Sequence, residues 1–323
     1  MKRIGPLVLA LAALASAGES PAQQPYPSRP VRLVVGFAPG GAADTVARAL
    51  SDGLSRALGQ PVVIENRAGA GSSIAAENVA KSPADGYSIL IASPSSISVN
   101  PALNPKLGYR PADLAPVTQV SASPLVLVVN PATDIHSVGE LVAVAKKRPD
   151  FLNYATSGIG SAPHFGAALF GQLAGVRMVH VPFKGGAPAI TSVVAGDTQL
   201  SFATPPSVMP MVKAGRLRAL AVTSPERSSL MPEIPGMREA GLPALSLSFW
   251  YGIFVPAGTP PEVVRKLYEA TAAAASRPEY KATLAREGTE VSLSRSPEEF
   301  AAFLAEDSKF WVKLAKDSGA TAD

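Results

Sequence analysis

Cysteine is absent from this chain of 323 residues. That excludes disulfides, cysteine nucleophiles, iron–sulfur clusters, thiolate zinc sites and a lipidated N-terminal cysteine. Histidine is scarce, with only His136, His164 and His180. None stands four residues from another and no H-E-x-x-H occurs, so no metal site is expected. A strong charge of one sign is missing too: 29 basic residues face 25 acidic ones, a formal charge of +4. The longest basic run is Lys146-Lys147-Arg148. Nothing here makes a polybasic face for nucleic acid, although the small surplus suits an anionic small molecule. After residue 14 no apolar run approaches the roughly 20 residues of a membrane span. Catalytic signatures are also wanting. There is no G-x-S-x-G elbow, and Lys184 precedes its glycines, which rules out a P-loop. No catalytic residue and no cofactor is expected.

What is present is a globular composition, with 47% hydrophobic residues, 27 glycines and 31 prolines. Such a chain has a sizeable core and many turns between short elements. At the N-terminus Lys2 and Arg3 precede an apolar stretch over residues 4–14. Ala15-Ser16-Ala17 then gives a small-x-small cleavage pattern. Residues 1–17 read as a signal peptide for export to the periplasm, with an uncleaved anchor as the alternative. Residues 18–30 read as a flexible, proline-rich lead-in.

From residue 31 strands and helices alternate. The pattern predicts strands at 31–37, 62–64 and 87–92, and helices at 42–58 and from Ser72 or Ser73 to Lys81. This βαβαβ order is that of a mostly parallel sheet covered by helices. Residues 117–130 read as an extended stretch broken by Pro124, and 137–147 as a helix. A second α/β unit follows, with strands at 152–155, 176–181, 199–203 and 217–223. Helices are predicted at 163–174 and 189–195, and a helical turn at 209–213. A strand at 249–255 and helices at 261–276 and 297–317 close the chain. Two similar α/β units joined by extended segments imply two lobes with a cleft between them.

Four glycine-rich turns carry the chemical interest. The first, Phe37-Ala38-Pro39-Gly40-Gly41, lies where a strand gives way to a helix. Free N–H groups and the helix dipole favour an anion there, and Asp44 can cap first-turn N–H groups. A carboxylate cradle and a tight turn that needs glycine are equally supported by these residues. The second, Thr156-Ser157-Gly158-Ile159-Gly160-Ser161, repeats the design with three hydroxyl donors. His164 follows in the first helical turn, where a positive imidazolium would oppose the dipole. It reads as a neutral hydrogen-bonding or packing residue, with ligand contact as the alternative. The third turn, Lys184-Gly185-Gly186, attracts an anion or simply faces solvent. The fourth, Gly69-Ala70-Gly71-Ser72-Ser73-Ile74, has isoleucine where a dinucleotide fingerprint needs its third glycine. It also follows the wrong strand, so NAD or FAD binding is rejected.

Taken in order, these segments resemble a known family. VGFAPGGAADTVAR (35–48), VVIENRAGAGSSIAAENVAKSPADGYSILIAS (62–93), NYATSGIGSAPHF (153–165), VHVPFKGGAPAI (179–190), GRLRALAVTSPERS (215–228) and FWYGIFVPAGTPPEVVRKL (249–267) are similar to the Bug/TctC family. Its members are periplasmic solute-binding proteins of tripartite tricarboxylate transport systems, and the likeness runs along the whole mature chain.

The resemblance implies an α/β, two-lobed type II periplasmic binding protein fold with a hinge and an interlobe cleft. Lobe 1 would comprise 31–123 and 225–323, and lobe 2 would comprise 124–224. The hinge crossings are placed near 117–125 and 222–228. The loop 37–44 would give backbone N–H groups to one carboxylate, and 156–161 would receive the other end. His164, Lys184 and Gly185, Thr204 and Pro205, and Ser93 at the end of the second matching segment would lie at or near the cleft. Thr204 and Pro205 stand where many relatives carry Asp or Asn. That points to a mono- or dicarboxylate without an amino group. Residues 232–240 also depart from the family pattern, with an effect expected on lobe packing only. The implied partner is a permease of tripartite tricarboxylate type, and a monomer is expected. The alternative readings are a carboxylate sensor serving a signalling partner and, last, an exported enzyme acting on carboxylates.

Overall fold

The computed structural model describes residues 26–318. The signal peptide and most of the lead-in expected at 18–30 lie outside that range. In chain order the first elements are β1 (Val31–Val35), α1 (Ala42–Leu58), β2 (Val62–Asn66), α2 (Ser73–Ala80) and β3 (Ser88–Ala92). A π-helical turn, Ser95–Val99, then runs into α3 (Asn100–Leu103). There follow β4 (Leu114–Pro124), β5 (Val126–Val129), α4 (Val138–Lys147), β6 (Asn153–Thr156) and α5 (Ala162–Ala174). Next come β7 (Val179–Pro182), α6 (Gly186–Ala195), β8 (Leu200–Ala203), α7 (Pro205–Lys213) and β9 (Arg218–Val222). The last are β10 (Ser248–Pro256), α8 (Pro261–Ala275), α9 (Pro278–Arg286) and α10 (Pro297–Asp317).

These strands form two five-stranded sheets, ordered β2-β1-β3-β10-β4 and β7-β6-β8-β5-β9. Each sheet is parallel on one side and takes antiparallel partners on the other. Both faces are covered, which is why the strands read as nearly continuous apolar runs. Leu33 and Val35 belong to the core that includes α1 residues Leu50 and Leu54, whereas Val34 packs with Val79 of α2 and Phe300 of α10. In the second sheet Leu127 and Val129 join the α5 side with Phe165 and Phe170. Val126 and Val128 face Ile190 of α6 and Met209 of α7.

The stretch expected to be interrupted at Pro124 splits there into strands of different sheets. β4 pairs with β10 and β5 with β8 and β9. A proline at the end of a strand removes a ladder donor, and the chain passes between lobes at the next residue. The return passage is longer. The expectation of lobe 1 resuming at 225 is corrected, because Met231 and Ile234 pack in the core of the second sheet. The Val222 N–H also bonds the Pro235 carbonyl at 2.9 Å. The helical turn expected at 209–213 is a full helix, α7, and α3 and α9 appear where no helix was expected. Among the described residues no helix is long and apolar enough to cross a membrane.

α10 reaches beyond its own lobe. Phe300 and Leu304 pack on the first sheet, while Trp311 meets Phe165 of α5 edge-on at a centroid distance of 6.0 Å.

Candidate ligand-binding cleft

Two cavities lie where the lobes meet. The inner one has a volume of about 20 Å³ and is lined from both lobes, among others by Phe37, Gly41, Ala42 and Ala43 on one side. Ala162, Gly186 and Thr204 face it from the other, and Phe249 and Tyr251 of β10 close it. α1, α5, α6 and α7 all start at this cavity, and no side chain caps any of the four. The first N–H groups of a helix have no acceptor within it. Those of Ala42, Ala43, Ala162 and Gly186 therefore belong to residues of the wall. α7 starts with Pro205-Pro206 and so contributes its dipole rather than free donors. No charged side chain lines this cavity.

The α1 loop is held from behind. Asp44, 3% exposed, accepts the Gly40 N–H at 3.0 Å, Asn66 Nδ2 at 3.0 Å and Arg48 Nε at 2.8 Å. Burial alone would raise its pKa, but the bonds from Arg48, Gly40 and Asn66 outweigh it and hold the carboxyl below the usual range. Asn66 also donates to the Phe37 carbonyl at 3.1 Å. The expected role of Asp44 is thus corrected. It does not cap the first turn of α1 but reaches back to Gly40, leaving the first-turn donors free.

The second loop is built the same way. Ser161 Oγ donates to the Gly158 carbonyl at 2.6 Å, and Gly158 N–H donates to Thr156 Oγ1 at 3.2 Å. Two of the three hydroxyls expected as ligand donors are therefore spent within the loop, and Ser157 is the one that lines the cavities. His164 Nδ1 accepts the Gly160 N–H at 3.3 Å, so its ring is neutral there. Its ring stacks on His180 at 4.3 Å, and His180 Nε2 lies 2.6 Å from Thr156 Oγ1. Burial, with His180 adjacent, pushes the pKa of His164 down to about 4, and burial does the same for His180. His164 lies behind the wall, stapling the loop.

The lobes touch. A Cβ on Gly185 would sit 3.1 Å from Ala38 N, and one on Gly160 would fall 2.2 Å from Asn100 Oδ1. Gly185 has φ +148° and Gly160 φ +74°, which L side chains rarely adopt. Glycine at both places lets backbone from one lobe approach the other.

The outer cavity, about 350 Å³, shares Phe37 and Ser157 with the inner one and is also lined by Gly158 and Lys184. Pro39 and Gly40 sit exposed at the turn, and Pro205 is buried at the start of α7. Ser93 lines neither cavity. Its carbonyl accepts N–H groups of Ser96 and Ile97 at 3.2 Å, and its hydroxyl is buried without a partner. Tyr251 reads from the sequence as one of several aromatics near strand ends, cleft wall or core, whereas Phe249 escaped sequence reasoning. The two-residue period of a strand puts them on one face opposite Trp250, and that signal would have found them. Thr204 hydrogen-bonds Tyr251, whose hydroxyl burial pushes strongly upward in pKa. The Gly69–Ser73 turn, weighed only as a nucleotide fingerprint, lines the outer cavity. Among the described residues no three His, Cys, Asp or Glu side chains are placed to hold a metal ion.

Two sheets, two passages between them and helix starts converging on the gap define a two-lobed solute-binding protein of the type II periplasmic kind. Comparison with known proteins agrees. The model of the tripartite tricarboxylate transporter family receptor, TctC, matches residues 46–320, and the chain belongs to that family. It is 36% identical to "Protein BugT" of Bordetella pertussis over 91% of each chain. Among solved structures it is similar to "R. palustris Rpa4515 with adipate", with a TM-score of 0.87, 35% identity and coverage of 92% of this chain and 99% of that one. It is also similar to "MatC (Rpa3494) from Rhodopseudomonas palustris with bound malate", with a TM-score of 0.85, 32% identity and coverage of 90% and 100%. The family is one of periplasmic solute receptors rather than catalysts.

Proposed function

We propose that this receptor captures a small organic mono- or dicarboxylate lacking an amino group. It does so by closing its lobes, and it delivers the ligand to a permease of tripartite tricarboxylate type. One observation carries this reading: four uncapped helix starts from two lobes meet at one cavity with no charged side chain in its wall. Backbone N–H groups and helix dipoles favour an anion and need no lysine or arginine to do so. A ligand ammonium group would find no carboxylate there, since Asp44 is occupied by Gly40, Asn66 and Arg48. Two similar solved structures, one with adipate and one with bound malate, carry ligands of the expected kind. An anion touching donors of both lobes stabilises the closed form, and a permease can then distinguish loaded from empty receptor.

The test is a thermal-shift screen of protein stripped by unfolding and refolding. A ligand that binds only the folded form raises the melting temperature, by about 5 °C or more at a hundredfold excess over Kd. Folded protein that ignores every carboxylate, or that responds to glutamate alone, overturns the reading.

A further inference from the structure

The inner cavity is too small for the molecule its donors would hold. At about 20 Å³ it admits one end of a ligand, a single water needing roughly 10–15 Å³ by the same measure. The remainder must pass Phe37 and Ser157, which line both cavities, into the outer chamber of about 350 Å³. That chamber is walled mainly by Phe37, Leu107, Ile159, Pro182 and Phe183. Part of its polar lining is spent, whereas Ser72 Oγ and Ser157 Oγ have no partner. Asn100 Nδ2 donates to the Ala70 and Gly71 carbonyls and to Ser73 Oγ, at 3.1, 2.9 and 2.8 Å. Asn104 Oδ1 accepts the Lys106 N–H at 3.0 Å. Lys184, the one charged residue of the wall, is exposed at its edge.

Resting on the carboxylate reading of the inner cavity, we propose that the ligand is an aromatic carboxylate. Its carboxylate end lies at the helix starts and its ring occupies the outer chamber between Phe37 and Phe183. A ring gains from leaving water for an apolar, aromatic wall. A hydroxylated aliphatic acid carries less apolar surface to bury against that wall.

The experiment is calorimetric titration of the stripped, exported protein. The ligands are benzoate, phenylacetate and 3-phenylpropionate against butyrate, adipate and malate. The best aromatic acid is expected to bind at least tenfold more tightly than any of the other three. In Leu107→Trp, where the indole fills the chamber, that preference is expected to fall at least fivefold. An aliphatic acid that matches the best aromatic one overturns the inference and leaves the carboxylate reading standing. So does a preference unchanged in folded L107W. Failure of all six acids overturns both.

Discussion

Thr223 donates its N–H to the Leu125 carbonyl at 2.8 Å and takes the Leu125 N–H onto its hydroxyl at the same distance. The same hydroxyl donates to the Leu247 carbonyl at 2.6 Å, and Leu247 N–H returns to the Thr223 carbonyl at 3.0 Å. Leu125 joins β4 to β5, Thr223 ends the β9 side, and Leu247 precedes β10. One fully buried threonine thus ties both passages between the lobes. In the closure proposed above, this tie is the point about which the lobes would turn while each sheet stays intact.

Thr223→Val keeps the shape and removes the hydroxyl, leaving a buried N–H and a buried carbonyl unpaired. Each such orphan costs about 1–3 kcal/mol. Denaturant unfolding is expected to show a loss of about 3 kcal/mol. A loss below roughly 0.5 kcal/mol would remove Thr223 from the hinge argument.

Gly160→Ala should act on closure as well as on folding. Its Cβ would meet Asn100 Oδ1 at 2.2 Å across the cleft. Asn100 cannot swing aside cheaply because its amide nitrogen holds three partners. Ligand affinity is expected to fall about tenfold, beside a stability loss of about 1–2 kcal/mol from the left-handed backbone. Unchanged affinity would show that the lobes need not meet at this point.

Acid should destabilise the protein through the histidine pair. His164 and His180 titrate near 4 in the fold and near 6.5 unfolded. Between those values the unfolded chain binds more protons. Stability therefore falls as pH drops from about 6.5 towards 4 and levels off below, a loss of about 3 kcal/mol for buried His164 and somewhat less for half-buried His180. His180→Phe retains a ring against Tyr154 and His164 and removes one titration. Melting curves over this window should lose roughly half of their pH slope. An undiminished slope would place the acid sensitivity elsewhere.

Of the two tryptophans, only Trp311 bridges the lobes. Its ring meets Phe165 of the second lobe and Phe249 at the hinge, whereas Trp250 packs on Phe254 and Phe300 and donates to Asp307 at 2.7 Å within the first. A ligand-induced change in tryptophan fluorescence is expected to vanish in Trp311→Phe and to survive in Trp250→Phe. The reverse pattern would show that α10 does not sense closure.

Much of the local structure was legible in the sequence. The apolar runs 31–37 and 87–92 read as strands, and β1 and β3 lie within them, while Gly59 and Gly175 stop their helices in left-handed geometry. The glycine turns at 37–41, 156–161 and 184–186 stood out because strand-to-helix junctions with small residues expose backbone donors. These are effects of neighbours within a few residues, and sequence carries them directly.

What the tertiary structure decided was where those donors meet and which side chains remain for a ligand. Asp44 turned back to Gly40, the hydroxyls of Thr156 and Ser161 closed onto Gly158, and His164 became a staple. Each choice depends on competition among partners within reach in space. Phe249 and Tyr251 arrive at the cavity from a strand some two hundred residues after the α1 loop, because β10 pairs between β3 and β4. The sequence by itself determined the two α/β units and their anion-seeking turns, through periodicity and backbone chemistry. Only long-range pairing and the knot at Thr223 decided that four helix starts share one small neutral cavity, because the positions of turns far apart in sequence are set by the packing of whole lobes.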